Sequence, residues 1–276
     1  MSAETTAIAN GGSPARTAVA ARPSGFLRDV MTVAGRAVRS LPREPEAVIP
    51  ALLIPMFFFF VNIGALENLA EGAGGIPDFR AFQLPVSIVF AVTGISRASA
   101  LVTDIQGGYF DRLLVTPVKR PALLLGLMIA DFVLVVLLSL FVTLVGLLVG
   151  VRFETGILGI GALLLIAALW GIAFTGFPYA IALKTGNPAA VNSSFLLFFP
   201  FAFLTTSFLP KEALSGWMQT IATVNPVTYL LKGLRAIITE GWVWSSIGQA
   251  LLAIALLGAV SFTMAFLALK GRVARN

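Results

Sequence analysis

An all-α integral membrane protein with six membrane-spanning helices is the fold class predicted for this chain, on three observations. Hydrophobic residues make up 58% of the sequence and charged residues 12%, with a mean hydropathy of +0.93; in a soluble domain roughly a quarter of the residues are charged. Six charge-poor runs each reach the roughly 20 apolar residues needed to cross about 30 Å of hydrocarbon: Ala47 to Leu66, Ala81 to Thr103, Leu123 to Val151, Thr155 to Leu183, Thr185 to Pro210 and Gly241 to Leu269. Lysines and arginines gather at alternate ends of these runs, the bias that marks cytoplasmic flanks.

Residues 1–25 are rich in Ala, Thr, Gly, Ser and Pro without apolar periodicity, which predicts a disordered tail. No continuous apolar stretch precedes Ala47, so the tail does not read as a secretion signal. At about 100° per residue, Phe26, Leu27, Val30, Met31, Val33, Ala34, Ala37, Val38 and Leu41 fill one arc and Arg28, Asp29, Thr32, Gly35, Arg36, Arg39 and Ser40 the other. The prediction is an amphipathic helix within 26–45, lying on the cytoplasmic membrane surface and ended by Pro42 and Pro45. It would serve as a lipid anchor, or as a lever whose polar face touches a cytoplasmic partner.

The spans occupy 46–270, and 271–276 form a second cytoplasmic tail. Arg16, Arg22, Arg28, Arg36, Arg39 and Arg43 precede the spans, Arg112, Lys119 and Arg120 lie between the second and third, Lys184 follows the fourth, and Lys270, Arg272 and Arg275 close the chain. The opposite side holds only Arg80, Arg152, Lys211, Lys232 and Arg235, so both termini are predicted to be cytoplasmic. The basic excess is then topological and calls for no nucleic acid partner.

The polar insert of 104–120 is the most informative stretch. Gly107 and Gly108 permit a sharp turn, Tyr109 to Val115 can form about two helical turns with Phe110, Leu113 and Leu114 on one face, and Pro117 stops them. Arg97 and Asp131 are the only charges within spans, each toward the cytoplasmic end, where they either pair between adjacent helices or snorkel outward. Two short amphipathic helices are predicted in the outer interface at 211–240, broken at Asn225-Pro226, with Tyr229, Lys232 and Arg235 on their polar side.

The chain has no cysteine and, by count, no histidine. It therefore offers neither a disulfide nor a thiolate or imidazole metal site, and it lacks the usual acid/base for a membrane-embedded enzyme. No Gly-x-x-x-x-Gly-Lys-(Ser/Thr) loop occurs, so ATP hydrolysis by this chain alone is not expected.

Gly108, Asp111, Arg112, Leu113, Leu114, Thr116, Pro117, Arg120, Leu125, Gly126, Ala130 and Asp131, followed after span five by Leu209-Pro210, Trp217, Ile221-Ala222, Asn225-Pro226-Val227-Thr228-Tyr229 and Leu234-Arg235, resemble in order the motifs of the ABC-2 type permeases, transmembrane subunits of ATP-driven exporters such as the daunorubicin-resistance permeases. Leu127 and Lys232 depart from the family pattern, which commonly has a basic and an acidic residue there. The resemblance implies a type V exporter-like permease in the bacterial inner membrane. It would export a hydrophobic or amphipathic drug, lipid or glycolipid, paired with a second permease subunit and two cytoplasmic ATPase subunits. ATP and Mg would sit on those partners, and this chain would hold no cofactor.

By the same resemblance the insert is a coupling helix, in which Gly108, Tyr109, Phe110, Asp111, Arg112, Leu113, Leu114, Thr116 and Pro117 dock on the ATPase beside Arg28, Arg36 and Arg39. Spans two and five would line the dimer seam, making Ser87, Thr93, Ser96, Asn192, Phe195, Phe198 and Phe199 the candidate substrate path, below an extracellular gate of Trp217, Asn225, Pro226, Tyr229 and Arg235. The alternative class is a secondary transporter or channel without an ATPase. That class normally shows an internal repeat or mid-membrane acids, and the sequence shows no such repeat.

Overall fold

The computed structural model describes residues 25–43, 45–72, 75–93, 95–108 and 120–273. Tyr109, Phe110, Asp111, Arg112, Leu113, Leu114, Thr116 and Pro117 of the expected coupling helix, nearly all of the first expected tail and half of the second lie outside the described residues. Among those described, five helical stretches are long and apolar enough to cross a membrane: Val48–Gly72, Phe79–Gln106, Pro121–Leu148, Gly156–Thr185 and Trp244–Arg272.

Helix α1 (Phe26–Ser40) leads through a 3-10 turn (Leu41–Arg43) into α2 (Pro45–Gly72). The second crossing is divided into α3 (Phe79–Thr93) and α4 (Ala98–Gln106). Long helices α5 (Arg120–Leu148) and α6 (Gly156–Thr185) follow, and α6 is the central post, packed along α5, α3 and the last helix. Three short pieces come next: α7 (Pro188–Asn192), a 3-10 turn (Ser193–Leu197) and α8 (Phe198–Phe203). Helices α9 (Gly216–Val224), α10 (Pro226–Thr239) and α11 (Trp244–Val273) complete the chain.

Two expectations change. First, the run from Thr185 to Pro210 is not one helix. Its apolar helical part, Pro188–Phe203, falls short of the length of a span; at 1.5 Å per residue 16 residues reach only about 24 Å. Pro188 starts it behind the side-chain cap of Asn187, Pro200 stands inside its last piece, and the helix gives way to bends after Phe203. Among the described residues, five stretches of crossing length, the second of them divided, and one shorter broken segment stand where six spans were expected. Second, α10 does not lie out on a surface: Val227, Leu230, Leu231, Leu234, Ile237 and Ile238 are at most 1% exposed and join the main core beside α3, α6 and α11. Along α2, Phe57, Phe58 and Phe60 are exposed and Phe59 is wholly buried.

Helix α1 docks along α5. Val30, Ala34 and Ala37 are buried in that contact while Leu27 and Met31, on the same apolar arc, stay exposed. Gly126 is what lets the two backbones approach, because a Cβ there would stand 2.6 Å from Val33 Cβ and 3.0 Å from the carbonyl oxygen of Val30. Gly126→Ala is expected to push α1 away from α5 and to destabilise the protein by about 1–3 kcal/mol, the usual cost of overpacking. The midpoint of thermal unfolding in detergent checks it; an unchanged midpoint would show that α1 yields freely.

Candidate functional site

The break between α3 and α4 organises the site. A helix interrupted inside an apolar bundle leaves carbonyls on one side and N–H groups on the other without intrahelical partners, and hydrocarbon offers none. Thr93, in the last turn of α3, bonds the carbonyl of Val89 at 2.6 Å and accepts from the indole N–H of Trp170 on α6 at 2.9 Å. At the start of α4, Ser96 Oγ accepts from the backbone N–H of Ala98 at 3.2 Å. Asp131 of α5 supplies the rest: its Oδ1 accepts from the backbone N–H of Arg97 at 2.7 Å, and its Oδ2 accepts from the Tyr179 hydroxyl of α6 at 2.6 Å. A carboxyl group at a helix N-terminus also meets the positive end of the helix dipole. The Arg97 guanidinium donates to Ser40 Oγ of α1 at 2.8 Å, so one network joins α1, α4, α5 and α6.

Arg97 and Asp131 therefore do meet, through the backbone of one and the side chain of the other. Asp131 is fully buried and Arg97 is 6% exposed, so neither snorkels. The sequence singled out both residues, but Tyr179, the third member, carried no signal beyond being an aromatic within an apolar run.

Helix α4 is latched to its neighbours at three further points. Arg36 of α1 pairs with Asp104 at 2.7 Å, Gln106 Nε2 donates to the carbonyl of Gly186 at 2.9 Å, and Ser99 Oγ donates to Asn192 Oδ1 of α7 at 3.0 Å. The helix ends where Gly107 bonds back to Thr103 and Gly108 to Ile105, and Gly108 takes the left-handed φ of +66° that a side chain would resist. Asp104 to Gln106, the first residues of the expected insert, thus belong to α4. Arg28 and Arg39 are exposed on the same helix as Arg36.

A cleft of about 840 Å³ opens between α1, α2, the α3–α4 break, α6 and α7. Ser40, Thr93, Ser96, Arg97, Ser99 and Asn192 give it a polar wall, while Pro50, Ile54, Phe90, Phe174 and Phe195 give it an apolar one. Of the residues expected on a substrate path, Thr93, Ser96, Asn192 and Phe195 line this cleft. Ser87 lines a separate narrow crevice. Phe198 is fully buried against Phe90 and Phe174, and Phe199 stacks on Phe203 at 5.5 Å.

At the other end, the bends after α8 bury Thr205, Thr206 and Ser207, and their backbone is tied off by side chains. Asn225 Nδ2 donates to the carbonyls of Phe201 at 2.7 Å and Leu204 at 2.8 Å, while its Oδ1 accepts from the N–H of Val227 and caps α10. Arg235 reaches inward instead of standing on a polar face: its Nη2 donates to the Thr206 carbonyl at 2.8 Å, its Nε to the Phe82 carbonyl at 3.0 Å, and its guanidinium carbon lies 3.4 Å from the centre of the Phe82 ring. Pro226 opens α10 and Tyr229 donates to the Thr223 carbonyl at 2.6 Å, whereas Trp217 is exposed on α9. Of the five expected gate residues, Asn225 and Arg235 thus join one hydrogen-bonded lock around the bends after α8.

The profile of the ABC-2 type transporter family matches residues 28–239 of this chain. The chain is 28% identical over 238 residues to the daunorubicin resistance ABC transporter permease protein DrrB1 of Streptomyces coeruleorubidus, an alignment covering 83% of this chain and 79% of the relative. It is 24% identical over 221 residues to the protein named “Probable doxorubicin resistance ABC transporter permease protein DrrC” in Mycobacterium tuberculosis, covering 80% of each.

Proposed function

This chain belongs to the ABC-2 type transporter family, and we propose that it is the membrane permease subunit of an exporter, driven by separate ATPase subunits and moving an uncharged or weakly charged amphipathic cargo outward. The observation that carries the reading is the family match over residues 28–239, joined to a cleft with one polar and one apolar wall at α4, which leads into the expected coupling insert. Two permease subunits would face each other, with both termini and the insert in the cytoplasm of a bacterial cell and the α9–α10 lock outside, as the basic residues favour.

The mechanism follows from the divided second crossing. Movement of the docked insert passes through Gly108 to α4, a rod of nine residues. Its upper end stays pinned by Asp131 while the latches at its lower end, Asp104 to Arg36 of α1 and Gln106 to the Gly186 carbonyl, release and re-form. Since Ser99 and Asp104 of α4 stand in the cleft wall, this swing changes the width of the cleft. Trp170 keeps α3 still meanwhile. Closure on the cytoplasmic side and opening of the outer lock would then release cargo outside.

Co-expression with an ATPase subunit should give a complex that pumps a lipophilic dye into inverted vesicles only when ATP is supplied; equal uptake without the ATPase would remove the exporter reading. The swing has its own test in this cysteine-free chain. In the Arg36→Cys, Asp104→Cys variant, joining the two thiols should abolish pumping, and cleaving a reducible linker should restore it. Pumping that persists in fully joined protein would show that the lower end of α4 does not part from α1.

A further inference from the structure

A small crevice lies on the outer side of Phe90, bounded by Asn62 of α2, by Gln83 and Ser87 of α3, and by Phe203 of α8. Asn62 Nδ2 and Gln83 Oε1 are buried there without a hydrogen-bond partner among the described residues. Gln83 is 1% and Ser87 3% exposed, and Ser87 bonds only the carbonyl of Gln83 on its own helix, at 3.5 Å. In an apolar bundle an unpartnered amide is costly, and a leucine at either position would remove the cost. The two groups are opposite in kind, one a donor and the other an acceptor. A hydroxyl group is the simplest partner for both, accepting from Asn62 and donating to Gln83. The space, about 10 Å³, suits one group of that size. Phe90 and Pro55 border both this crevice and the large cleft, so the two are neighbours along one route.

We infer that Asn62 and Gln83 form a second, uncharged subsite that hydrogen-bonds a hydroxyl group of the cargo as it passes Phe90, with water taking the same place between cargoes. The inference rests on the exporter reading and narrows it: the cargo is an amphiphile bearing a hydroxyl that can both give and accept a proton in a hydrogen bond. Carboxylates and amines are disfavoured, because the crevice offers no compensating charge.

The test uses the permease assembled with its ATPase subunits and two probes, 1-dodecanol and dodecyl methyl ether; the ether accepts a hydrogen bond but cannot donate one. Stimulation of ATP hydrolysis should be half-maximal at an about three- to tenfold lower concentration of the alcohol, the ratio expected of one hydrogen bond. The Asn62→Leu, Gln83→Leu variant should lose that preference while melting at a higher temperature than the parent, because two unpartnered amides have gone. A structural role would lower the melting temperature instead. Equal responses to alcohol and ether in the parent would overturn the cargo role and leave a water site only. Retained preference in the variant, or a lower melting temperature, would overturn the inference as well. A parent complex without ATP-driven pumping would count against the exporter reading, and the melting comparison would still judge whether the amides are structural.

Discussion

Asp131→Leu is expected to lower stability by about 3–5 kcal/mol and to cut the yield of folded protein sharply. The substitution keeps the branching and heavy-atom count of the side chain and adds apolar surface, so a purely hydrophobic account predicts little harm or a gain. What it removes is the acceptor for two donors, the backbone N–H of Arg97 and the hydroxyl of Tyr179. Each buried donor left without a partner costs about 1–3 kcal/mol. Asp131→Asn should be much milder, because its amide oxygen still accepts from Arg97. Unfolding midpoints in detergent, with the two variants side by side, check this. Equal stability of the leucine variant and the parent would mean that the start of α4 finds another acceptor.

Arg235→Ala should cost about 2–4 kcal/mol, and Arg235→Lys should recover little of it. The guanidinium serves the Phe82 and Thr206 carbonyls and the Thr206 hydroxyl from three different nitrogens, in a planar fork against the Phe82 ring. An ammonium has the charge without the fork. Half-burial of the side chain sets the lower figure, since water reaches part of what alanine would uncover. Limited proteolysis of membranes is the sensitive measurement: cleavage within 204–215 should speed up in both variants. Unaltered cleavage would show that Asn225 alone holds the bends after α8.

Much of the bundle was legible from the sequence because length and apolarity are properties of single segments. The runs that became α5, α6 and α11 were read to within a few residues, and α2 exceeded its prediction only because Asn68 and its polar neighbours still form helix near the end of a crossing. The Asn225-Pro226 break was legible for the same local reason. What the sequence hid was most of what partners distant along the chain make together. Nothing between Thr93 and Ala98 includes a proline, and the group that makes a break tolerable there, Asp131, sits on another helix. Arg235 looked like a surface residue because its helix is amphipathic, and only tertiary packing shows that its partners are carbonyls of α3 and of the bends after α8. The run from Thr185 to Pro210 was long and apolar enough to pass as a crossing, since hydropathy does not register where a helix stops. Of the residues expected on a substrate path, the polar ones beside the break reached the cleft, whereas Phe198 was absorbed into the core.

The two halves of the divided second crossing answer to different neighbours: α3 is held by Trp170 near one side of the gap, and α4 by Asp131 on the other. Sequence drift in one half is thereby insulated from the other. A substitution that alters what α3 packs against leaves the seating of α4 intact, and one in α4 leaves α3 in place.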